Sequence, residues 1–388
     1  MNALQGFIAR IRGQATDGIQ QKAARVGPVF QAVGPGQARV TPRQYDRLAD
    51  EGYRQNVIAY RAVNLVARGI SSLPLIVEKS GKRLSDHPLL DLLGRPNPNL
   101  QGRSFIYHLA GHYLIAGNAY ILAVGPNLAP RELWLMRPDS VRILEGTDGT
   151  PAGYRQSSGG KTRDFAAENI MHWRAFNPLN DWYGMAPLEA AAISIDTHNE
   201  GSRWNLALIQ NGGRPTGALY QESPDATLTD SQFRRLKQEV SEAYSGSMNA
   251  GKPLLLEGGL KWQEMSMSPS DMDWDAGKNM TAREIATAFG VPPQMLGIPD
   301  SQTYNNYSEA RLSVYEDTII PLAQDLVSCL NGWLLPMYGE DLRLIADIEG
   351  LPALEAKRER LFRRLAAASF MTDEEKRTAA GLGKRAGA

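Results

Sequence analysis

The chain has 388 residues, 43% of them hydrophobic, which is more apolar material than one small core needs, so two or three compact regions are expected. Its 42 basic residues balance 42 acidic ones, which argues against a protein that wraps its whole surface in nucleic acid; contact with DNA must be local or geometric. Cys329 is the single cysteine, so neither an intramolecular disulfide nor a thiolate zinc cage is available, and a reducing compartment is the simplest expectation.

The opening MNALQGFIARIRGQ lacks a long uninterrupted apolar run, and neither a signal peptide nor a membrane span is expected there. Residues 1–40 are rich in Gly, Gln and Ala, carry Arg10, Arg12, Lys22, Arg25 and Arg39 against Asp17, and read as a flexible arm. Over 41–183, helices alternate with strands. VIAYRAVNLVARGISS (57–72) has helical apolar spacing, and LPLIVE (73–78) reads as a strand. SFIYHLAGHYLIAG (104–117) reads as a helix capped by Ser104 and stopped by Gly117. AYILAV, ELWLM and SVRIL follow as short strands between Pro and Gly turns.

A long helix is expected over 187–211, with Pro187 at its first position and Gly212 and Gly213 as its stop. Leu188, Ala192, Ile195, Leu206 and Ile209 share one face, whose middle is Asn199 and Ser202. Gly201 should cost this helix about 1 kcal/mol relative to Ala. Residues 214–268 form a small αβ insert. GALY reads as a strand, and LTDSQF is a helix start with Thr229 as N-cap, Gln232 as its capping-box partner and Leu228 with Phe233 as the staple. PLLLE and LKWQEM flank Gly258 and Gly259 as a hairpin. A second long helix runs from Ser268 to about Phe289, with a break near 280, at the capping box TARE, as the competing expectation. After a proline-rich loop, Leu312, Tyr315, Ile319, Leu322, Leu326, Cys329 and Trp333 mark a long helix kinked by Pro321. LRLIADI is a strand, and LEAKRERLFRRLAAA (354–368) is a basic helix whose charges suit either solvent or packaged DNA.

Catalytic patterns are incomplete, and no catalytic, cofactor or metal residues are expected. SSGGKT (157–162) would place Arg155 where a phosphate loop needs its first glycine, and it also suits a plain hairpin. His108 and His112 have zinc-ligand spacing, but Leu109 stands where a metalloprotease needs Glu. DMDWDAG (271–277) has Ala276 and Ala282 where a calcium loop needs Gly and Glu. A DNA-processing enzyme with an unrecognised site and an assembly scaffold that never touches DNA remain as alternatives.

Several stretches, in order, resemble the portal protein family of tailed double-stranded DNA phages and related gene transfer agents: HPLLDLLGRPNPN (87–99), LIAGNAY (114–120), LWLMRPDSVRI (133–143), YGMAPLEAA (183–191), NGGRPTGAL (211–219), AREIATAFGVPPQMLG (282–297) and YNNYSEARLSVYEDTIIPL (304–322). The resemblance implies an α+β portal fold with an α/β wing (41–183), a stem of two helices (184–213 and 269–289), a small αβ clip (214–268), a tunnel loop (290–306), a long kinked return helix with a wing strand (307–349) and a short helical crown (350–388). It also implies a homo-oligomeric ring, usually of twelve subunits, at one capsid vertex, carrying double-stranded DNA and docking the large terminase, then the head-tail adaptor, beside the major capsid protein. No enzyme activity, cofactor or membrane is implied. The particle, assembled in the bacterial cytoplasm, is the expected location. The channel residues would be Gln294, Met295, Leu296, Asp300, Ser301, Gln302, Thr303, Tyr304, Asn305 and Asn306. Clip docking would fall to Leu228, Phe233, Leu254, Leu256, Leu260 and Trp262. Between Gly290 and Tyr307 the one charged side chain is Asp300, so this loop has no Lys or Arg with which to pair phosphates.

Overall fold

A computed structural model describes residues 44–125, 129–147, 149–210, 217–221, 229–244, 260–264, 273–299, 304–339 and 341–381. All belong to the unit Val40–Ala388, and the expected arm lies outside them.

Helix α1 (Val57–Ser71) starts at Asn56, whose side chain accepts the amides of Ile58 and Ala59. Its buried face is a stripe of Ala59, Ala62, Val63, Val66, Ala67 and Ile70, small enough to let the next long helix come close. Strand β1 (Leu75–Lys79) follows. Helix α2 (Gly102–Ala116) begins two residues before Ser104, with Gln101 rather than Ser104 in the capping position, and ends as expected at Gly117, which has φ 68°. Strands β2 (Asn118–Val124), β3 (Glu132–Met136), β4 (Val141–Glu145), β5 (Pro151–Ser158), β6 (Lys161–Ala166) and β7 (Ile170–Arg174) form two antiparallel sheets, ordered β3-β2-β7 and β4-β5-β6. Gly159 and Gly160, at φ 57° and 75°, turn β5 into β6 with Ser158 opposite Lys161. The SSGGKT stretch is therefore the plain hairpin.

The expected helix over 187–211 is split at Ala191 into Pro187–Ala190 and α3 (Ala192–Gln210). Beyond it, β8 (Gly217–Gln221), α4 (Asp230–Tyr244) and β9 (Leu260–Glu264) make the small insert. The Thr229 amide donates to Gln232 Oε1 at 2.9 Å and the Gln232 amide to Thr229 Oγ1 at 3.4 Å, so the expected capping box is formed. Strand β9 pairs with β8 from Leu260 opposite Gln221 to Glu264 opposite Gly217; the expected partner PLLLE lies outside the described residues. Helix α5 (Trp274–Ala288) runs through residue 280 without a break.

The return helix has three parts. Helix α6 (Tyr304–Ser313) passes into a π-helical segment, Val314–Ile319, and then into α7 (Ile320–Trp333). Pro321 has no amide proton for the carbonyl four residues back, and widening the preceding turn accommodates that loss. The stretch Asn306–Tyr338 is long and apolar enough to cross a bilayer by composition, yet Val314, Ile319, Ala323, Leu326, Val327 and Leu330 are buried in the main core. Strand β10 (Leu342–Ala346) pairs antiparallel with β1, Leu344 opposite Val77. Helix α8 (Glu355–Ala367) follows, with no buried residue.

The main core joins α1, α2, β2, α5 and the return helix, with Trp173 fully buried, stacked on Tyr113 at 3.9 Å and donating to Asp325 at 2.7 Å. A second, smaller core gathers Tyr120, Met136, Val141, Ile143, Tyr154 and Ile170 around the two sheets. His172 bonds Asn118 Oδ1 through Nε2 at 2.9 Å and stacks on Tyr120 at 4.4 Å. Burial, then Arg174, lowers its pKa to about 3. His112 bonds the Tyr45 hydroxyl at 3.0 Å, and burial, then His108, lowers it to about 4.

Both imidazoles titrate below their unfolded value of about 6.5, so below that pH the unfolded chain binds more protons than the folded one. Stability is full above about pH 6.5 and declines as pH falls toward 4. Chemical denaturation at about pH 7.5 and about pH 5 should give the lower midpoint at pH 5; equal midpoints would contradict the neutral, buried assignment.

Candidate functional site

Three elements converge where α3, α5 and the loop after α5 meet: a helix pair, a buried polar node and a braced connection to the return helix.

In the helix pair, Trp274 lies over α3. A Cβ on Gly201 would overlap the Trp274 ring, and Trp204 stands against it with centroids 5.6 Å apart. Gly201, costly by propensity, is thus the position where an indole sits directly on helix backbone. Farther along, Ser194 Oγ donates to Glu284 at 2.6 Å. Leu188, Ala192 and Ile195 are buried, whereas Leu206 and Ile209 are 54% and 57% exposed, so the apolar face is used only at its first half.

The polar middle of α3 faces inward. Asn56 Oδ1 is committed to the Ile58 and Ala59 amides at 3.0 and 2.9 Å, so its Nδ2 must donate. It does so to Asn199 Oδ1 at 3.0 Å and to His198 Nδ1 at 3.3 Å, and Asn199 Nδ2 donates to the Glu51 carbonyl at 2.9 Å. His198 is therefore neutral with its proton on Nε2. Burial, then the Lys278 ammonium, keeps its pKa below the ordinary imidazole range. The polar middle, which interrupts the apolar face in the sequence, ties α3 to the start of α1. Beside the node lies a cavity of about 260 Å³ lined by Gln55, Val57, His198, Lys278, Gly297 and Pro299.

The loop after α5 is held at every described turn. The Gly290 amide donates to Thr287 at 2.9 Å and the Val291 amide to Ala286 at 3.0 Å, a Schellman ending with Gly290 at φ 62°. A Cβ on Gly290 would sit 2.5 Å from Thr318 Oγ1, which itself donates to the Gly290 carbonyl at 2.7 Å. Residues Pro293–Leu296 form a 3₁₀ turn closed by Gly297 at φ 79°. Val291 and Ile298 are buried, and Arg283 donates to the Pro299 carbonyl at 2.7 Å.

Residues 58–381 match the description "Phage portal protein". The chain belongs to the phage portal protein family. This portal protein is 42% identical over 345 residues to an uncharacterized protein of Rickettsia bellii (strain RML369-C), covering 87% of this chain and 89% of that one. It is 23% identical over 296 residues to the portal protein of Enterobacteria phage HK97, covering 74% and 69%. Among solved structures it superposes on the neck of an empty gene transfer agent particle computed with C6 symmetry, with a TM-score of 0.71 and 39% identity over 92% of this chain and 98% of that one. It superposes likewise on a native neck computed with C12 symmetry, with a TM-score of 0.68 and 38% identity over 90% and 97%.

Within the portal protein, the residues singled out from sequence separate into groups. Met295 and Leu296 are half-buried against the core, and Gln294 shares their 3₁₀ turn. Asp300, Ser301, Gln302 and Thr303 lie outside the described residues, and Tyr304, Asn305 and Asn306 open α6 instead of continuing the loop. In the insert, Phe233 and Trp262 are 56% and 40% exposed, Leu260 is half-buried, and Leu228, Leu254 and Leu256 lie outside the described residues. Sequence reasoning did not find Trp274, Asn56 or Thr318. Each acts on a partner far away in the chain, Trp274 on Gly201, Thr318 on Gly290 and Asn56 on Asn199, and the unexplained Gly201 was the one visible sign.

Gly201→Ala should lower stability by up to about 2 kcal/mol, because overpacking of about 1–3 kcal/mol is set against a propensity gain of about 1 kcal/mol. In a Trp274→Leu background the same change should be neutral or stabilising. Thermal melting of the four proteins measures the difference, and equal effects in both backgrounds would remove Trp274 as the cause.

Proposed function

We propose that this portal protein forms a ring of twelve copies at one vertex of a phage or gene-transfer-agent capsid, and that duplex DNA enters and leaves through its channel. The observation that carries this is the 39% identity to a chain in a GTA neck computed with C6 symmetry, with 98% of that chain covered; the C12 neck supports the twelvefold number. In this assignment the β-rich region with α1 and α2 is the wing, α3 and α5 are the stem, and the β8-α4-β9 insert is the clip. The clip docks the large terminase during packaging and the head-tail adaptor afterwards, through Phe233, Leu260 and Trp262 with Leu228, Leu254 and Leu256. The wing lies beside the major capsid protein. The protein itself is not an enzyme, in keeping with its structural family.

The segment from Gln294 to Asn306 lines the narrowest part of the channel. Its described half is braced, with Met295 and Leu296 as anchors, and Asp300 is its one charged residue. Without Lys or Arg the segment cannot hold phosphates by ion pairing and counterion release. Gln302, Asn305 and Asn306 then guide moving DNA with low friction.

Electron microscopy of the purified chain should show end-on rings with a central hole of duplex width; a stable monomer at high concentration would overturn the ring for the isolated protein. Asp300→Lys should slow packaging or retain DNA at ejection several-fold while rings still form. Unchanged packaging and ejection rates would remove the low-friction role. Nuclease or ATPase activity that copurifies with the ring would favour the enzyme alternative.

A further inference from the structure

The loop 175–186, between β7 and the short helix Pro187–Ala190, exposes two large apolar side chains almost completely. Phe176 is 86% and Leu179 is 89% accessible. Exposure of this kind usually accompanies a slack loop, but this one is braced along its length. Asn177 Oδ1 accepts the Leu179 amide at 3.0 Å, and its Nδ2 donates to the Tyr183 carbonyl at 2.9 Å. Asn180 Oδ1 accepts the amides of Trp182 and Tyr183 at 2.8 and 3.0 Å, and Arg174 bonds the Asp181 carbonyl. At the loop's exit, Asn118 both accepts from the Gly184 amide at 2.8 Å and donates to the Gly184 carbonyl at 3.1 Å. A Cβ on Gly184 would overlap the Gly117 carbonyl, so the loop base is pressed against the end of α2. Trp182 and Tyr183 anchor that base on the second core, and the Tyr183 hydroxyl accepts the Ile143 amide at 2.9 Å.

We propose that this loop is a preformed knob that seats Phe176 and Leu179 on a second copy of the chain. The inference rests on the ring assembly stated above. In a rotational ring each contact is heterologous: one surface of a copy meets a different surface of the next, at the same height. A rigid apolar projection suits that arrangement because its backbone is already ordered and loses little freedom on docking. The loop's charge also suits burial. Asp181 is the one residue of 175–186 charged at neutral pH, so the knob takes a single charge toward the neighbouring surface and little desolvation opposes its docking. Two such side chains bury on the order of 300 Å², roughly a third of the ~800 Å² per partner in a standard interface. They make an anchor to which other surfaces must add.

The test compares the wild type, Phe176→Ser/Leu179→Ser and Asn177→Ala by sedimentation velocity and electron microscopy over a range of concentrations, with thermal melting alongside. The double variant should need at least about tenfold more protein to form rings, at an unchanged monomer melting temperature, because both side chains are already in solvent. Asn177→Ala, which frees the loop without removing its apolar tip, should give a smaller shift. Rings of the double variant with the wild-type midpoint would overturn the knob, including the case in which those rings then fail to enter capsids, which would assign the loop to the capsid protein. A wild type that forms no rings at any concentration would overturn the ring reading and this inference with it.

Discussion

The widened turn at Val314–Ile319 is the joint on which the rest of the chain hangs. Two glycines meet it from different directions. A Cβ on Gly69 of α1 would overlap Ile319, and one on Gly290 would crowd Thr318, whose hydroxyl holds the Gly290 carbonyl. One turn of the return helix thus fixes the central core helix and the end of α5 together. Pro321 explains why the turn lies there: the helix has to give up a backbone bond at this point, and π geometry absorbs the loss while pushing Ile319 into the core.

The second organising device is polar. Asn56 spends its oxygen on the first amides of α1 and its amide group on α3, so helix capping and the attachment of α3 are satisfied by one side chain. A buried amide with all partners present is stabilising, whereas loss of one partner leaves the others unsatisfied at a cost of about 1–3 kcal/mol. The orientation of the α3–α5 pair is therefore coupled to the integrity of α1. Arg283 extends this coupling to the loop by holding Pro299, which brings a guanidinium to the edge of a segment whose own sequence has none.

Much of the local structure was legible in the sequence because its causes are local. The apolar spacing of 57–72, the Gly117 stop, the Thr229 capping box and the Gly159-Gly160 turn all depend on residues within a few positions of one another. What escaped depends on distant partners. Ser104 is a good cap by type, but Gly102 and Arg103 continue the helix outward to a cap at Gln101. A three-four apolar spacing through Leu312 to Trp333 does not register a change from α to π winding, which sets the buried Val314 and Ile319 five positions apart. Asn199 and Ser202 were visible as a polar interruption of an apolar face; without knowing that Asn56 lies opposite, no pattern marks Asn199 as part of a buried node. The channel-loop residues were legible only as a group: their low charge is a sequence property, but the division into anchored Met295 and Leu296 and helical Tyr304 requires coordinates.

The β8–β9 ladder gives the α3–α5 excursion a mechanical character. Its five rungs run from Gly217 and Glu264, nearest the helix pair, to Gln221 and Leu260. Pulling the two strands apart at the Gly217–Glu264 end opens the ladder one pair at a time, against a small force. Sliding one strand along the other has to shear all five pairs at once. The ladder is therefore compliant to spreading and stiff to slip between its two strands.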